Sequence, residues 1–85
     1  MAVEEEIGKV SHFFAHVVVA GIELTAPLKV GESIHIKGHT TDLVLPVDSM
    51  QINNVNVPEA KPGDSIGIKV PDRVRPGDQV FRVTE

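Results

Sequence analysis

The stretch Lys61-Pro62-Gly63-Asp64-Ser65-Ile66-Gly67-Ile68 indicates the fold of this 85-residue chain more clearly than any other segment. Proline at the second position of a tight turn presets φ, and glycine at the third position accepts a positive φ. The first four residues therefore predict a type II turn. The residues that follow alternate between apolar and polar or small, as they do in a half-buried β-strand. The segment is predicted to be a turn that leads directly into a strand.

The same turn-and-strand pattern occurs three times along the chain. Its consensus is an apolar or small residue, a basic residue, any residue, glycine, an acidic residue, any residue and an apolar residue. The three copies are Leu28–Ile34, Ala60–Ile66 and Val74–Val80. Their uneven spacing argues against a solenoid repeat. We interpret the pattern as one turn used three times, with the glycine at positive φ in each copy.

Further short strands are predicted around these copies, because β-branched residues are abundant and turn signals are closely spaced. A buried helix is the competing interpretation of residues 13–24, although Gly21 disfavours it and could instead mark a β-bulge. The predicted strands are 7–11, 13–24, 33–38, 43–52, 65–70 and 79–84, with 53–57 as a polar connection or short strand. The expected fold is all-β, a small closed antiparallel barrel of six to seven strands.

The length and composition predict one cytoplasmic domain. Residues 1–6 are expected to be a flexible acidic tail, and residues 7–85 a single β-barrel domain. The chain has no cysteine, which excludes disulfides, a cysteine-based zinc site and a thiol nucleophile. Three consecutive glutamates near the start are unlike a signal peptide, and the longest apolar run is too short to span a membrane.

The charge and the histidine spacing exclude several classes of function. The net charge is −4, whereas proteins dedicated to nucleic acid are usually basic, so the balance favours a protein partner over RNA. There is no phosphate-binding loop, and no nucleotide or other cofactor is expected. Two histidine pairs have a spacing of four, His12/His16 and His35/His39. On strands that spacing separates them by roughly 13 Å, so no metal site is predicted.

Catalysis is not predicted either. A triad can be assembled on paper from Ser49, His35 and Asp48, but the sequence has no nucleophile elbow around the serine. We therefore expect a protein that is not an enzyme and has no catalytic residue.

Two groups of side chains are candidates for binding. The first is a basic patch of Lys69, Arg73, Arg75 and Arg82, because arginine forks suit phosphate and carboxylate recognition. The competing interpretation of these cations is solubilising surface charge. The second group is the polar loop that begins with His39 and Thr40. Loops on a rigid β-scaffold are frequent binding sites, but local turn chemistry explains the same residue types.

Five segments, taken in order, resemble the second, β-barrel domain of translational GTPases such as elongation factor Tu. They are Gly8–Val10, Lys29–Ile36, Val47–Ile52, Ala60–Ile68 and Val74–Val80, so the resemblance extends over residues 7–84. It implies a stand-alone barrel without a GTPase domain. The implied function is a translation-associated binding module that contacts tRNA, the ribosome or a translation-related protein. Thr25-Ala26-Pro27 departs from the usual Arg-Gly at that point, and no tRNA-contacting residue is transferred.

The chain also resembles the barrel attached to some collagenase-like peptidases. The stretch Lys37-Gly38-His39-Thr40-Thr41-Asp42 carries this second resemblance. It implies the alternative function, a detached accessory barrel of a collagenase-like peptidase or of an RNA-modifying enzyme, which acts by binding.

Overall fold

A computed structural model describes residues 3–84, which form ten β-strands. In chain order they are β1 (Val3–Phe14), β2 (Val19–Leu24), β3 (Leu28–Lys29), β4 (Ser33–Lys37), β5 (Asp42–Pro46), β6 (Met50–Ile52), β7 (Val55–Val57), β8 (Glu59–Ala60), β9 (Ser65–Lys69) and β10 (Gln79–Thr84). The prediction of an all-β chain is confirmed. A search of the same residues finds no helix with the length and apolar character to cross a membrane.

Eight of the strands form one antiparallel sheet, in the order β5-β4-β10-β1-β2-β9-β6-β7. Strands β3 and β8 form a second sheet of two strands. Within residues 3–84 no ladder joins the edge strands β5 and β7, so the sheet is open and the predicted closed barrel is not confirmed. The strands also outnumber the predicted six or seven. Residues 47–49 interrupt the segment 43–52 and separate β5 from β6, and the two short strands β3 and β8 were not predicted.

Both sheets pack against one hydrophobic core. Along β2 and β9 the buried residues alternate with exposed or half-buried ones, so one face of the large sheet points inward. Leu28 of β3 and Ala60 of β8 join the same core. The largest fully buried side chains are Ile7, Val10, Ile22, Leu28, Ile34, Ile36, Val47, Met50, Ile68, Val74 and Val80.

The three repeated turns share one geometry. The glycines have φ of 99° at Gly31, 92° at Gly63 and 94° at Gly77, as predicted. In each copy the N–H of the acidic residue donates to the carbonyl of the basic residue, over 3.0–3.2 Å. The acidic side chain in turn accepts the N–H of the basic residue, over 2.8–2.9 Å. The acidic residue therefore closes the turn with both its main chain and its side chain.

Each turn is also attached to a distant strand or loop residue by a pair of main-chain hydrogen bonds. The glycine N–H donates to the carbonyl of a buried apolar residue, and the N–H of that residue donates to the carbonyl of the turn's acidic residue. The attached residues are Val47 for the turn at Gly31, Leu24 for the turn at Gly63 and Val10 for the turn at Gly77. The repeated sequence pattern thus encodes three equivalent attachment points.

The N-terminal part of the structure differs from the prediction in two ways. Residues 3–6 belong to β1 and pair with β10, where we expected a flexible tail; Met1 and Ala2 lie outside the described residues. A turn over residues 15–18 divides the predicted strand 13–24. The predicted bulge does occur in this hairpin, but the register shifts on β1, between Val10 and His12, rather than at Gly21. Pairing with β10 and β2 decides both features, and the local sequence does not encode that pairing.

Candidate functional site

A concave surface of about 690 Å³ lies on the outer side of the large sheet. One row of paired residues crosses it through four adjacent strands. His12 of β1 pairs with Gly21 of β2, Gly21 pairs with Gly67 of β9, and Gly67 pairs with Gln51 of β6. Two neighbouring positions on the outer face therefore have no side chain. We call this surface the glycine trough, with Gly21 and Gly67 as its floor and His12 and Gln51 beside them.

Neither floor glycine is required by the backbone. Both lack a positive φ, and a Cβ at Gly21 would make only ordinary contacts, the nearest at 3.5 Å. A Cβ at Gly67 would meet only the side chain of Val19, at 3.3 Å. By contrast, a Cβ at Gly8 would collide with the main chain of Glu23. A Cβ would therefore fit at Gly21 as the structure stands, whereas at Gly67 the side chain of Val19 would have to shift by a few tenths of an ångström. Glycine in a strand often marks a close approach by a ligand or another backbone.

One side of the trough is aromatic and apolar. The rings of His12 and Phe14 stack with their centroids 6.0 Å apart and an interplanar angle of 17°. Phe14 and Val17 are each 46% exposed, which is unusual for large apolar side chains that lie together around one hairpin. This side offers a flat apolar surface to an incoming group.

The opposite side carries carboxamide groups. Gln51 donates from Nε2 to Oδ1 of Asn56 over 3.1 Å. Asn53 and Asn54 form the turn between β6 and β7 with φ of 52° and 65°, a conformation in which asparagine is favoured. Neither of their side chains has a hydrogen-bond partner among residues 3–84. These amides can donate to and accept from peptide groups.

Strain is concentrated at the hairpin turn beside the trough. Val18 has φ of 54°, which is uncommon for a β-branched residue and costs roughly 1–3 kcal/mol. Its side chain packs against the core, and its carbonyl accepts the N–H of Val70 over 3.0 Å. These contacts hold the hairpin in place next to the trough.

The trough has little formal charge. Glu23 is the one Asp, Glu, Lys or Arg among the residues that line it. Ser11 Oγ lies 3.2 Å from Nδ1 of His12, but the hydroxyl donates to the carbonyl of Gly21, and no carboxylate in the described part of the chain bonds to His12. The chemistry of this surface is therefore packing and neutral hydrogen bonding.

His35 lies at a second polar cluster, which the sequence reading did not identify. Its Nδ1 is 2.7 Å from Oε2 of Glu4, and its Nε2 is 2.5 Å from Oδ1 of Asp42. Burial by itself lowers the pKa of His35, but the hydrogen bonds to Asp42 and Glu4, together with their charges, outweigh that effect. The net result is a pKa raised above the ordinary value. Because its two nitrogens point to different carboxylates, His35 connects strands rather than binding a ligand.

Ser49, His35 and Asp48 do not form a catalytic triad, because both ring nitrogens of His35 bond to other carboxylates, those of Glu4 and Asp42. Nor do three His, Asp or Glu side chains anywhere in residues 3–84 converge as metal ligands would.

Arg82, a predicted binding residue, is part of the fold. Its Nη2 is 2.6 Å from Glu5 Oε1, its Nη1 donates to the carbonyl of Pro27 over 2.5 Å, and its Nε is 3.8 Å from Glu32. The side chain is 19% exposed. A guanidinium with these partners is not available as a free phosphate-binding group.

The other predicted cations are exposed, but they do not form one patch with Arg82. Lys69, the last residue of β9, pairs with Val19 of β2, which in turn pairs with Phe14 of β1. Arg82 of β10 pairs with Glu5, which lies nine residues before Phe14 on β1. That separation is on the order of 25–30 Å along the strand. The loop that follows β9 carries Arg73 and Arg75, and the main-chain N–H of Arg75 bonds to Asp78.

His39 and Thr40 are exposed in the turn between β4 and β5. The N–H of Gly38 donates to the carbonyl of Thr41 over 2.8 Å and closes this turn. No partner of either predicted residue is seen among residues 3–84. The binding role of His39 and Thr40 stays a prediction.

The sequence reading missed the glycine trough because Gly21 and Gly67 lie far apart in the chain. The available signal was that Gly67 occupies an outward position in the alternating strand 65–69, where a polar or β-branched residue is usual. Register between β2 and β9 is what places the two glycines side by side.

Three comparisons relate the chain to known proteins. No profile of a known protein family matches it. It is 47% identical over 81 residues to a protein of Methanocaldococcus jannaschii named as an uncharacterized protease; the match covers 94% of this chain and 20% of that protein. It is 32% identical over 78 residues to a collagenase of Porphyromonas gingivalis, covering 89% of this chain and 22% of the collagenase. The chain thus spans about a fifth of the length of these curated relatives.

The fold is that of a solved peptidase domain. The C-terminal domain of a Geobacillus thermoleovorans protein described as a U32 peptidase superposes with a TM-score of 0.85 at 14% identity, covering 92% of this chain and 91% of that domain. A selenomethionine form of the same domain gives a TM-score of 0.84.

These findings correct the first interpretation. Identification with the second domain of elongation factor Tu and other translational GTPases was wrong, because the sequence relatives are proteases and the matching structures are U32 peptidase domains. The translation-associated role that followed from it is overturned as well. The alternative, an accessory domain of a collagenase-like peptidase, is the interpretation that the comparisons support.

Proposed function

We propose that this chain is the non-catalytic accessory domain of a U32-type peptidase, and that it contributes binding rather than bond cleavage. The observation that carries the proposal is the extent of the match. Nearly all of this chain aligns with about a fifth of a protein named as a protease, and the fold is that of an isolated C-terminal domain. The rest of the relative's length is available for the catalytic machinery.

The side chains of the described residues support a binding role. The histidine with two carboxylate partners, His35, is 9% exposed and connects β1, β4 and β5. The concave surface of about 690 Å³ is lined by apolar, histidine and neutral polar side chains, with Glu23 as its one carboxylate. A surface of that kind suits recognition of a protein or peptide, which is the material that a protease acts on.

We further propose that the two sheets behave as one rigid barrel-like scaffold. Val47, just after β5, exchanges main-chain hydrogen bonds with Gly31 and Glu32, which follow β3. These bonds continue the β4–β5 pairing by one residue, into the turn that leads from β3 of the small sheet to β4 of the large sheet. A rigid scaffold would keep the outer-face trough in a fixed shape.

Hydrolysis of gelatin by the Porphyromonas gingivalis collagenase, measured with increasing amounts of this chain, tests the proposed function. A domain that binds without cutting competes with the matching part of the enzyme, so excess chain is expected to raise the apparent KM and leave kcat unchanged. The chain alone is expected to release no peptides. An equal amount of serum albumin controls for non-specific protein effects.

Two results contradict the proposal. Release of peptides by the chain alone would make it an enzyme in its own right. An apparent KM that stays constant at a large excess of the chain would remove the link to peptidase action.

A further inference from the structure

We propose that the glycine trough binds an extended, proline-rich peptide segment, with a proline ring seated on the floor formed by Gly21 and Gly67. This inference rests on the proposed function, since it names the class of ligand that the accessory domain would take. The floor is two adjacent strands wide, and the outer positions of both strands are empty at that row. A compact ring can approach the backbone there more closely than anywhere a side chain intervenes.

The side walls match the chemistry of such a segment. Proline rings pack on flat aromatic surfaces, and the stacked rings of His12 and Phe14 provide one. A proline-rich segment adopts an extended helix with no internal hydrogen bonds, so its carbonyls are free to accept. The side-chain amides of Asn53 and Asn54 supply donors on the opposite side of the trough.

The charge of the trough also selects this occupant. A nucleic-acid strand needs cations along its backbone, whereas the trough has no Lys or Arg in its lining and one carboxylate, that of Glu23. An acidic peptide is disfavoured for the same reason. A neutral segment with few N–H donors and many carbonyls fits both the charge and the hydrogen-bonding groups.

Titration of the isotope-labelled full chain with nonaproline, followed by amide NMR, tests the inference. The expected shifts are confined to the trough, at the main-chain amides of His12, Phe14, Gly21 and Gly67 and the side-chain amides of Gln51, Asn53 and Asn54. A Gly-Ser nonapeptide of the same length is expected to cause none. Shifts located elsewhere, or equal shifts with the Gly-Ser peptide, overturn the inference, as does a uridine nonamer that perturbs the trough.

Variants that add a side chain at Gly21 or Gly67 test whether the peptide binds on the floor of the trough. Gly21→Val and Gly67→Val place a side chain in the trough at positions without a positive φ, and the tighter site, Gly67, needs only a small shift of the Val19 side chain. The fold is expected to be retained while affinity for nonaproline drops about tenfold or more. Val44→Thr, at a position 63% exposed on β5, is the control and retains wild-type affinity. Wild-type affinity in both filled variants overturns the inference.

The two proposals can fail separately. If nonaproline leaves the trough unperturbed while the chain still raises the apparent KM of the collagenase, the accessory function stands and the trough assignment is wrong. If the peptide binds in the trough but the KM is unaffected, the trough assignment stands and the link to peptidase action is wrong.

Discussion

Glu4 reaches across strand β10 to His35, and its Oε2 lies 2.7 Å from the ring Nδ1. Asp42 holds the other ring nitrogen from β5. This arrangement ties the first residues of β1 to the β4–β5 hairpin, so the ionisation of one imidazole is coupled to the packing of three strands.

The stability of the fold is expected to depend on pH through His35. Its pKa is raised in the folded state because the bonds to Asp42 and Glu4 outweigh the effect of burial. The stabilisation is therefore fully present below about pH 6.5, the unfolded value, and is lost as the pH rises through the folded pKa. Urea unfolding between pH 5.5 and 8.5 measures the effect.

The His35→Gln variant is the control for this pH dependence. Its free energy of unfolding is expected to vary less between pH 6 and 8.5 than that of the wild type. Parallel curves for the two proteins would show that His35 is not the group responsible.

The positive φ of the repeated turns makes a separate prediction. A Cβ added at Gly63 would point into open space, so only the φ of 92° opposes a side chain there. Gly63→Val is expected to lower the free energy of unfolding by about 1–3 kcal/mol. Gly21→Val is the matched control, because Gly21 lacks a positive φ and a Cβ there would make only ordinary contacts, the nearest at 3.5 Å. It is expected to be neutral or to stabilise by up to about 1 kcal/mol. Equal destabilisation by both substitutions would refute the backbone explanation.

The acidic residue of each turn is expected to contribute according to its burial. Asp78 is 7% exposed and accepts the N–H of Arg75, whereas Glu32 and Asp64 are more exposed. Asp78→Ala is expected to cost about 1–3 kcal/mol, since it leaves a donor without its partner, and Glu32→Ala about 1 kcal/mol or less. Asp78→Asn removes the charge but keeps an oxygen that can accept the N–H of Arg75, so it separates the contribution of the hydrogen bond from that of the charge. Thermal or chemical unfolding of the three variants ranks them, and a larger loss at Glu32 would contradict this order.

Arg82 is expected to affect stability rather than binding. Replacing it with alanine removes the contacts to Glu5 and to the Pro27 carbonyl, and should cost about 1–2 kcal/mol. Arg82→Lys is not expected to restore the stability, because a single ammonium cannot reproduce the fork. Arg73→Ala, in an exposed loop, is the control and should change unfolding by less than about 0.5 kcal/mol. If Arg82→Ala leaves unfolding unchanged but weakens binding to a partner, Arg82 belongs to the binding surface after all.

The sequence by itself determined the local structure of this protein. Proline and glycine at fixed turn positions, followed by alternating apolar residues, predicted the three turns with their positive φ and the strands after them. Turn chemistry depends on φ preferences of individual residues, which is why it can be read from a short stretch. The all-β class followed from the same local preferences.

Only the tertiary structure decided which residues meet. Strand pairing placed Gly21 beside Gly67, brought Glu4 and Asp42 to His35, and gave Arg82 the partners that remove it from the predicted basic patch. Pairing register is set by how all the strands bury their apolar faces together, and the partners lie far apart in the chain. The candidate site is made of such long-range neighbours, so the local pattern of the sequence marks one outward glycine, Gly67, but not the pair that it forms with Gly21.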